Sequence, residues 1–173
     1  MVEYHDVEWG TPVADDRRLF EKLTLEGFQA GLAWATVLRK REAFKRAFDG
    51  FDPERVARYG AEDRVRLLGD AGIIRNRAKI EATIGNAAAL LAVAVEHGSF
   101  AAYLAAQLPR PAPILPKGAT WDDVQATTAE STALSAELRR RGFRFVGPTI
   151  VYAYMQGVGL VDDHLPGCFR YRG

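Results

Sequence analysis

Residues 139–168 read RRRGFRFVGPTIVYAYMQGVGLVDDHLPGC, and this stretch combines more signals than the rest of the chain. A basic helix end is followed by a glycine turn and an apolar helix. An acidic pair, a histidine and the only cysteine of the chain come next. Each piece alone has an ordinary structural explanation. Their order predicts a binding unit with reactive side chains directly behind it.

The turn at 143–149 joins two predicted helices, with Gly147 in the turn and Pro148 suited to the first turn of the second helix. Backbone N–H groups at a helix start, together with the positive end of the dipole, form an anion site. Because Arg139–Arg141 and Arg144 lie close by, we expect the anion to be a DNA phosphate. An ordinary helix–helix corner is the alternative, since glycine is also common there.

Asp162 and Asp163 follow the apolar helix, where the helix dipole disfavours carboxylates. Either a nearby cation offsets that cost or one carboxylate is held there for chemistry; plain loop aspartates are the alternative. His164 and Cys168 are four residues apart, a spacing that suits two zinc ligands. Two ligands are a weak signal, and His5 is the best candidate for a third.

Tyr4, Trp9, Glu26 and Trp34 form a second group of candidate residues near the N-terminus. A purine flipped out of DNA is held between aromatic faces and hydrogen-bonded along its edge. Glu26 lies mid-helix among apolar residues, and a buried anion needs a partner or a cationic ligand. Core tryptophans and a surface glutamate are the alternative interpretation.

The composition predicts one globular domain over the 173 residues, since 48% of them are hydrophobic. The net charge of +1 does not decide about nucleic acid, and the basic clusters also suit solvated helix ends. A single cysteine excludes an internal disulfide and fits a reducing compartment. No apolar run approaches the roughly 20 residues of a membrane span, and no signal peptide is present. We expect a soluble, cytoplasmic monomer that does not bind membranes.

The periodicity predicts an all-α fold without strands or repeats. Asp15 or Asp16 is the expected cap of the first helix, and Thr127 with Glu130 has capping-box spacing. The proline-rich residues 109–127 predict an extended surface loop. The helices are predicted at about 15–31, 36–48, 53–60, 62–70 (Val65 and Leu68 inward), 75–97, 100–108, 127–141 and 148–157 or 148–159.

Five blocks in order, YHDVEWG, LEGFQAGLAWATVLRKRE, DAGIIRNRAKI, RGFRFVGPTI and GLVDDHLPGC, give the chain its resemblance to the 3-methyladenine DNA glycosylase I family. The chain also resembles the wider helix-hairpin-helix glycosylases. FRFVGPT takes the place of the hairpin, within residues 139–159, and VDDH takes the place of their Val-Asp-Thr-His segment. The resemblance implies a helical bundle whose N- and C-terminal ends pack together, stapled by zinc.

The resemblance also implies a monofunctional glycosylase that releases 3-methyladenine from alkylated double-stranded DNA and leaves an abasic site. Glu26 would contact the base and act in catalysis, assisted by Asp162, where the family usually has asparagine. Two alternatives are a glycosylase with a broader alkylpurine range and a DNA-damage-binding module without catalysis. The resemblance places Tyr4 and Trp34 at the base, and Arg144, Gly147 and Thr149 at the DNA backbone. The loop at 109–127 matches the family's variable segment and is expected to have no such role.

His5, His164 and Cys168 match three ligands of the structural zinc in the family. The fourth ligand, a cysteine, comes from a segment before the first block, and Met1 lies only four residues before His5. We expect either a start that lies upstream, a zinc with three protein ligands, or no zinc. Thr149 stands where strand-cleaving relatives have a nucleophilic lysine, so no Schiff base is expected.

Overall fold

The computed structural model describes residues 1–108 and 113–173, which form helices and no named strand. The only β-type pairing in this part of the chain is one isolated bridge between Ile114 and Asp162. The all-α prediction is confirmed. The helices are α1 Asp16–Gln29, α2 Trp34–Arg39, α3 Arg41–Ala47, α4 Pro53–Val56, α5 Ala61–Gly69, α6 Arg77–His97, α7 Phe100–Gln107, α8 Ala129–Arg140 and α9 Pro148–Gly157, with short helical turns at Tyr4–Glu8, Asp49–Phe51 and Trp121–Asp123.

Two helix starts show how well capping could be predicted. Asp15 caps α1 as expected, with its side chain accepting a 2.8 Å hydrogen bond from the Arg18 N–H. The capping box of α8 lies one residue later than predicted, at Thr128. Ser131 Oγ accepts from the Thr128 N–H at 2.9 Å, and Thr128 Oγ1 accepts from the Ser131 N–H at 3.2 Å. A serine three residues on therefore completes the box in place of the predicted glutamate.

The helix predicted at 36–48 is two helices, because the chain breaks at Lys40. Lys40 has ψ 0°, and its N–H bonds to Val37 in a tighter turn. The Lys40 ammonium donates to the carbonyls of Ala71 and Gly72 at 3.0 and 3.1 Å. This tie fixes the loop before α6 against the junction of α2 and α3.

The inward face of α5 was predicted correctly at Leu68 and wrongly at Val65. Val65 is 73% exposed, whereas Leu67 is fully buried and Leu68 packs against the core. Arg64 forms a 2.9 Å ion pair with Glu81 of α6. The face that meets α6 therefore runs through positions 64, 67 and 68, which lie together on a helix at the i, i+3 and i+4 spacing.

Helix α6 is the long central element, and it contacts α1, α4, α5 and α7. Its 21 residues are long and apolar enough to cross a membrane by length and composition alone, which corrects the expectation that no apolar stretch approaches the length of a membrane span. Half of its most apolar window is buried against the other helices. This packing is that of a core helix in a globular fold.

The two ends of the chain meet beside α9. The N–H groups of Gly10 and Val13 bond to the carbonyls of Gln156 and Val158 at 3.0 and 3.1 Å. Arg170 reaches back to the carbonyl of His5 at 3.1 Å. Helix α1 packs on α9 as well, so the N-terminal segment, α1 and the C-terminal segment surround a common space.

Candidate functional site

A cavity of about 820 Å³ opens where these three segments meet, and we call it the Glu26 cavity. Tyr4 comes from the N-terminal turn, Glu26 from α1 and Trp34 from the start of α2. Gln156 of α9 and Asp163 of the C-terminal segment line the cavity as well. The structure thus brings together the three residues predicted at the base, although they are up to thirty positions apart in sequence.

Glu26 is the most unusual group in the cavity. It is 6% exposed, and its carboxylate has no hydrogen bond from the described residues. Burial raises the pKa of Glu26 to about 8, and the positive charge of Lys22 opposes that rise. Burying a carboxylate without a partner costs folding free energy, and a ligand that carries hydrogen-bond donors or positive charge would offset that cost.

Two aromatic rings stand beside this carboxylate. The centroids of Tyr4 and Trp34 lie 5.4 Å apart with an interplanar angle of 51°, and Trp34 Nε1 is buried without a hydrogen-bond partner in the described chain. Gly157 is a residue that the sequence interpretation missed. A Cβ there would lie 3.4 Å from Tyr4 Oη and 3.8 Å from Glu26 Oε1, so glycine keeps this corner of the cavity open.

Behind Tyr4 lies an ion cluster, Glu8, Glu21, Lys22 and Arg41, that sequence reasoning also missed. Arg41 bonds to Glu8 at 2.6 Å and to Glu21 at 2.7 Å, and Lys22 Nζ lies 3.4 Å from Glu8 Oε2. Burial raises the pKa of Glu8, but the hydrogen bond and charge of Arg41 outweigh it, and the pKa is lowered. Each charge in the cluster is therefore balanced by an opposite one.

The three predicted metal ligands come together at the edge of the cavity. The ligand atoms of His5, His164 and Cys168 all lie within 4.8 Å of one another, and we call them the His–His–Cys cluster. His5 Nε2 is 3.5 Å from Cys168 Sγ, while its Nδ1 lies 2.8 Å from Asp6. His164 is 2% exposed, and its Nε2 is buried without a hydrogen bond to the described residues.

Asp162 and Asp163 face different ways. Asp162 Oδ1 lies 2.5 Å from His164 Nδ1 and accepts from the His164 N–H at 3.2 Å, and Asp162 is not among the described residues that line the cavity. Asp163 does line it, and accepts hydrogen bonds from Tyr152 at 2.6 Å and Gln156 at 2.7 Å. This geometry favours Asp162 as a support for His164 over its predicted role at the reacting sugar.

The turn between α8 and α9, residues 141–147, is braced from inside. Asn86 accepts from the Arg144 N–H at 2.8 Å and donates to the Arg144 carbonyl at 3.0 Å. Ser135 Oγ donates to the Val146 carbonyl at 2.6 Å. Phe145, between these anchors, has φ +56°, a conformation that non-glycine residues rarely adopt. The bracing therefore fixes a strained loop at the start of α9.

The predicted phosphate-binding residues remain available at this turn. Arg144 and Thr149 are exposed, and no side chain caps Gly147 at the start of α9. Arg140 and Arg141 instead bind Glu137 at 2.7 and 2.8 Å. Two of the clustered arginines therefore form ion pairs within the protein, and the basic patch expected to bind DNA has fewer unpaired arginines than predicted.

The proline-rich loop contributes to the cavity, against expectation. Ala119, Trp121 and Val124 line it, and Trp121 is 80% exposed at its mouth. Thr120 and Asp123 hold this short helical turn in a capping box. The first part of the predicted loop, residues 109–112, lies outside the described residues. Tryptophan within a segment otherwise rich in proline is the signal that could have identified this role.

Comparisons with known proteins agree with this fold. The family profile described as methyladenine glycosylase matches residues 1–171. DNA-3-methyladenine glycosylase 1 of Escherichia coli (strain K12) is 46% identical over 172 residues, covering 99% of this chain and 91% of the relative. A crystal structure of a 3-methyladenine DNA glycosylase I superimposes with a TM-score of 0.94 at 47% identity, covering 99% of this chain and 93% of the other.

A structure that concerns 3-methyladenine recognition by the glycosylase I from Staphylococcus aureus also has a TM-score of 0.94. It is 35% identical, and the match covers 99% of this chain and 91% of the other. The agreement in fold thus extends to relatives of clearly lower sequence identity.

Proposed function

The chain belongs to the methyladenine glycosylase family, and we propose that it releases 3-methyladenine from alkylated DNA. The N-glycosidic bond breaks and its electron pair leaves with the base, which departs as neutral 3-methyladenine. Water adds to C1′ of the sugar and loses a proton to solvent, which leaves an abasic site. The observation that carries this proposal is Glu26, a buried carboxylate without a partner in the described chain, set beside two aromatic rings.

The charge of the substrate explains why a cavity with one carboxylate and two aromatic rings is sufficient for base release. Methylation at N3 leaves the purine cationic, which makes it a good leaving group without protonation by the enzyme. A cationic base favours the ionised form of Glu26 and is attracted by its charge, and the faces of Tyr4 and Trp34 stabilise a cation by cation–π attraction. Normal adenine lacks the charge, so it gains none of this stabilisation and is rejected.

We propose that Asp163 is the carboxylate nearest the reacting sugar, since it lines the cavity and Asp162 does not. Tyr152 and Gln156 hold one oxygen of Asp163 and leave the other available. A fixed carboxylate at this place stabilises positive charge as it develops on the sugar. The catalytic role predicted for Asp162 becomes, in this proposal, support of His164.

The His–His–Cys cluster fits a structural zinc. Two imidazole nitrogens and one thiolate are the donors that zinc prefers, and the buried, unpartnered Nε2 of His164 is aimed at such a ligand. Asp6 and Asp162 bond the outer nitrogens of His5 and His164, an arrangement typical of zinc-bound histidines. When bound, zinc would tie the N-terminal segment to the C-terminal segment.

We propose that the turn at 141–147 is the helix-hairpin-helix element and binds the backbone of double-stranded DNA. Arg144 supplies positive charge, and the free start of α9 at Gly147 and Thr149 supplies backbone N–H groups. Thr149 is no amine nucleophile, so cleavage stops at the abasic site. We propose further that residues 1–173 act as one domain, which the single core cluster of the described residues supports. We also propose that the protein is a cytoplasmic monomer.

Release of bases from methylated DNA tests the proposal. The protein is incubated with alkylated duplex, and the free bases are separated by chromatography. We expect 3-methyladenine without 7-methylguanine. Release of both bases would indicate a broader glycosylase, and no release would indicate a binding module; the retained Glu26, Tyr4 and Trp34 argue against the latter.

A further inference from the structure

Lys79 of α6 is a buried lysine that the proposed reaction does not use. It is 8% exposed, and its ammonium donates to the carbonyls of Phe28 at 2.8 Å and Ala30 at 2.6 Å. These carbonyls lie at the C-terminal end of α1, where the last carbonyls of a helix lack partners within it and the dipole favours a positive charge. Lys79 therefore ties the end of α1 to α6.

The end of α1 carries part of the Glu26 cavity. Gln29 lies between the two bonded carbonyls in sequence, and it lines the cavity together with Glu26. Trp34, which also lines the cavity, begins α2 only four residues after Ala30. The connection is short and internally bonded, because the Leu32 N–H bonds to the Gln29 carbonyl at 2.7 Å. A displacement at the end of α1 would therefore displace several walls of the cavity.

The same face of α6 also holds the turn at 141–147. Asn86 lies two helical turns after Lys79, at the i+7 position on one face of the helix. The Asn86 side chain bonds to the N–H and the carbonyl of Arg144, as described above. Between the two α6 residues, the centroid of the Phe145 ring lies 5.9 Å from the Lys79 ammonium, within the range of cation–π attraction. One buried polar face of α6 thus contacts both the end of α1 and the turn.

Helix α1 and the turn also meet directly at this face. A Cβ on Gly27, the residue after Glu26, would lie 3.5 Å from the Cβ of Phe145. Gly27, Phe145, Lys79 and Asn86 line a void of about 10 Å³, which has room for no more than about one water molecule. Lys79 is the one charged side chain among the described residues that line this void. The junction of α1, α6 and the turn is therefore closely packed around its ammonium.

We propose that Lys79 is a positioning residue that fixes the distance between the Glu26 cavity and the turn at 141–147, an inference that rests on the function proposed above. A nucleotide that is rotated out of the duplex remains attached to its backbone. The cavity and the turn must therefore hold one DNA molecule at a set separation. A displacement on the order of 1 Å far from the reacting atoms can reduce a rate about 10²-fold.

Each site can also be probed without the other. Free 3-methyladenine occupies the cavity and does not contact the turn, and abasic duplex contacts the turn with no base in the cavity. Neither ligand depends on the distance between the two sites. Loss of the Lys79 tie should therefore reduce base release from DNA while both separate affinities are retained.

The test compares two lysines that each donate to two backbone carbonyls. Lys79→Met removes the tie at the end of α1. Lys40→Met is the matched control, because it removes the bonds to Ala71 and Gly72, and none of these three residues lines the Glu26 cavity in the described structure. Both variants should melt at a lower temperature than the wild type. Lys79→Gln, which retains N–H donors, replaces Lys79→Met if the latter does not fold.

The rate of base release is measured in single turnover, with saturating enzyme and duplex that contains 3-methyladenine. The Kd values for free 3-methyladenine and for abasic duplex are measured alongside. We expect Lys79→Met to lose at least about tenfold in rate, with both Kd values close to those of the wild type. Lys40→Met should keep the wild-type rate and both Kd values.

A rate close to the wild-type value in Lys79→Met, or an equal loss in Lys40→Met, would overturn the inference. A loss of affinity for free base or abasic duplex as large as the loss of rate would also overturn it, since Lys79 would then support one site alone. Failure of the proposed function is a different result, because the wild-type protein would then release no base.

Discussion

The Glu26 cavity and the turn at 141–147 differ in whether their polar groups have hydrogen-bond partners within the protein. In the cavity, the Glu26 carboxylate and Trp34 Nε1 have no hydrogen-bond partner among the described residues. In the turn, the Asn86 side chain bonds to both the N–H and the carbonyl of Arg144, and Ser135 Oγ donates to the carbonyl of Val146. All three hydrogen bonds are 3.0 Å or shorter. The cavity is incomplete until a ligand enters, whereas the turn is complete before DNA arrives.

This contrast indicates a division between recognition and support. An unpartnered charge favours one kind of ligand strongly, and it costs stability while the cavity is empty. A satisfied network fixes geometry and is independent of which base is present. Base specificity should therefore reside in the cavity, and affinity for the DNA backbone in the turn.

The largest expected effect is that of Glu26→Gln, which removes the unpartnered charge. We expect kcat/KM for 3-methyladenine release to fall about 10²–10³-fold, the range seen when a fixed electrostatic group is lost. Binding to abasic DNA should stay close to that of the wild type, because the turn is untouched. Loss of both base release and binding to abasic DNA would show that the cavity and the turn do not act independently.

The same variant should be more stable than the wild type. Burial raises the pKa of Glu26 from 4.5 to about 8, so its contribution to stability is present below about 4.5 and is lost as the pH rises through about 8. Glutamine has no such loss. The gain in melting temperature of Glu26→Gln should therefore grow with pH across this window, and a constant difference would contradict it.

The next effect concerns the His–His–Cys cluster. Asp162→Asn weakens the support of His164, and we expect zinc affinity to fall about 10–100-fold in a chelator competition. Asp163→Asn is the matched control, because Asp163 lines the cavity and bonds to Tyr152 and Gln156. Asp163→Asn should instead reduce base release and retain zinc. The reverse pattern would restore Asp162 to the catalytic role predicted from the sequence.

A smaller effect is expected at the turn. Asn86→Ala leaves the N–H and carbonyl of Arg144 without their buried partner and should cost about 1–3 kcal/mol of stability. Weaker binding of abasic DNA should accompany this loss, measured with fluorescent duplex. Affinity for the free base should remain, since Asn86 does not line the Glu26 cavity in the described structure.

How much the sequence could predict differs between the two regions. The turn is encoded locally, by Gly147, Pro148 and the arginines before them, and its position was predicted correctly. Tyr4, Glu26 and Trp34 were predicted to bind the base from the family resemblance, and the structure places all three around one cavity. The sequence could not show which side chains meet across the fold, such as Glu8 with Arg41, thirty-three positions apart.

The missed features share a physical cause. Lys22 reads as a surface lysine of α1 until the N-terminal turn is placed over it. Asp162 and Asp163 are adjacent and cannot be told apart without the backbone direction after α9. Trp121 lies in a segment whose prolines indicate a loop but not the cavity that the loop covers.

The central claim is that the charge of Glu26 selects the charge of the base. Duplexes that carry a 2′-fluoro, non-cleavable 3-methyladenine nucleotide or adenine at the same position test it directly, through the ratio of their Kd values. The wild type should prefer the methylated duplex, and Glu26→Gln should reduce that preference by at least about tenfold, roughly 1.4 kcal/mol. An unchanged ratio in Glu26→Gln would contradict the account.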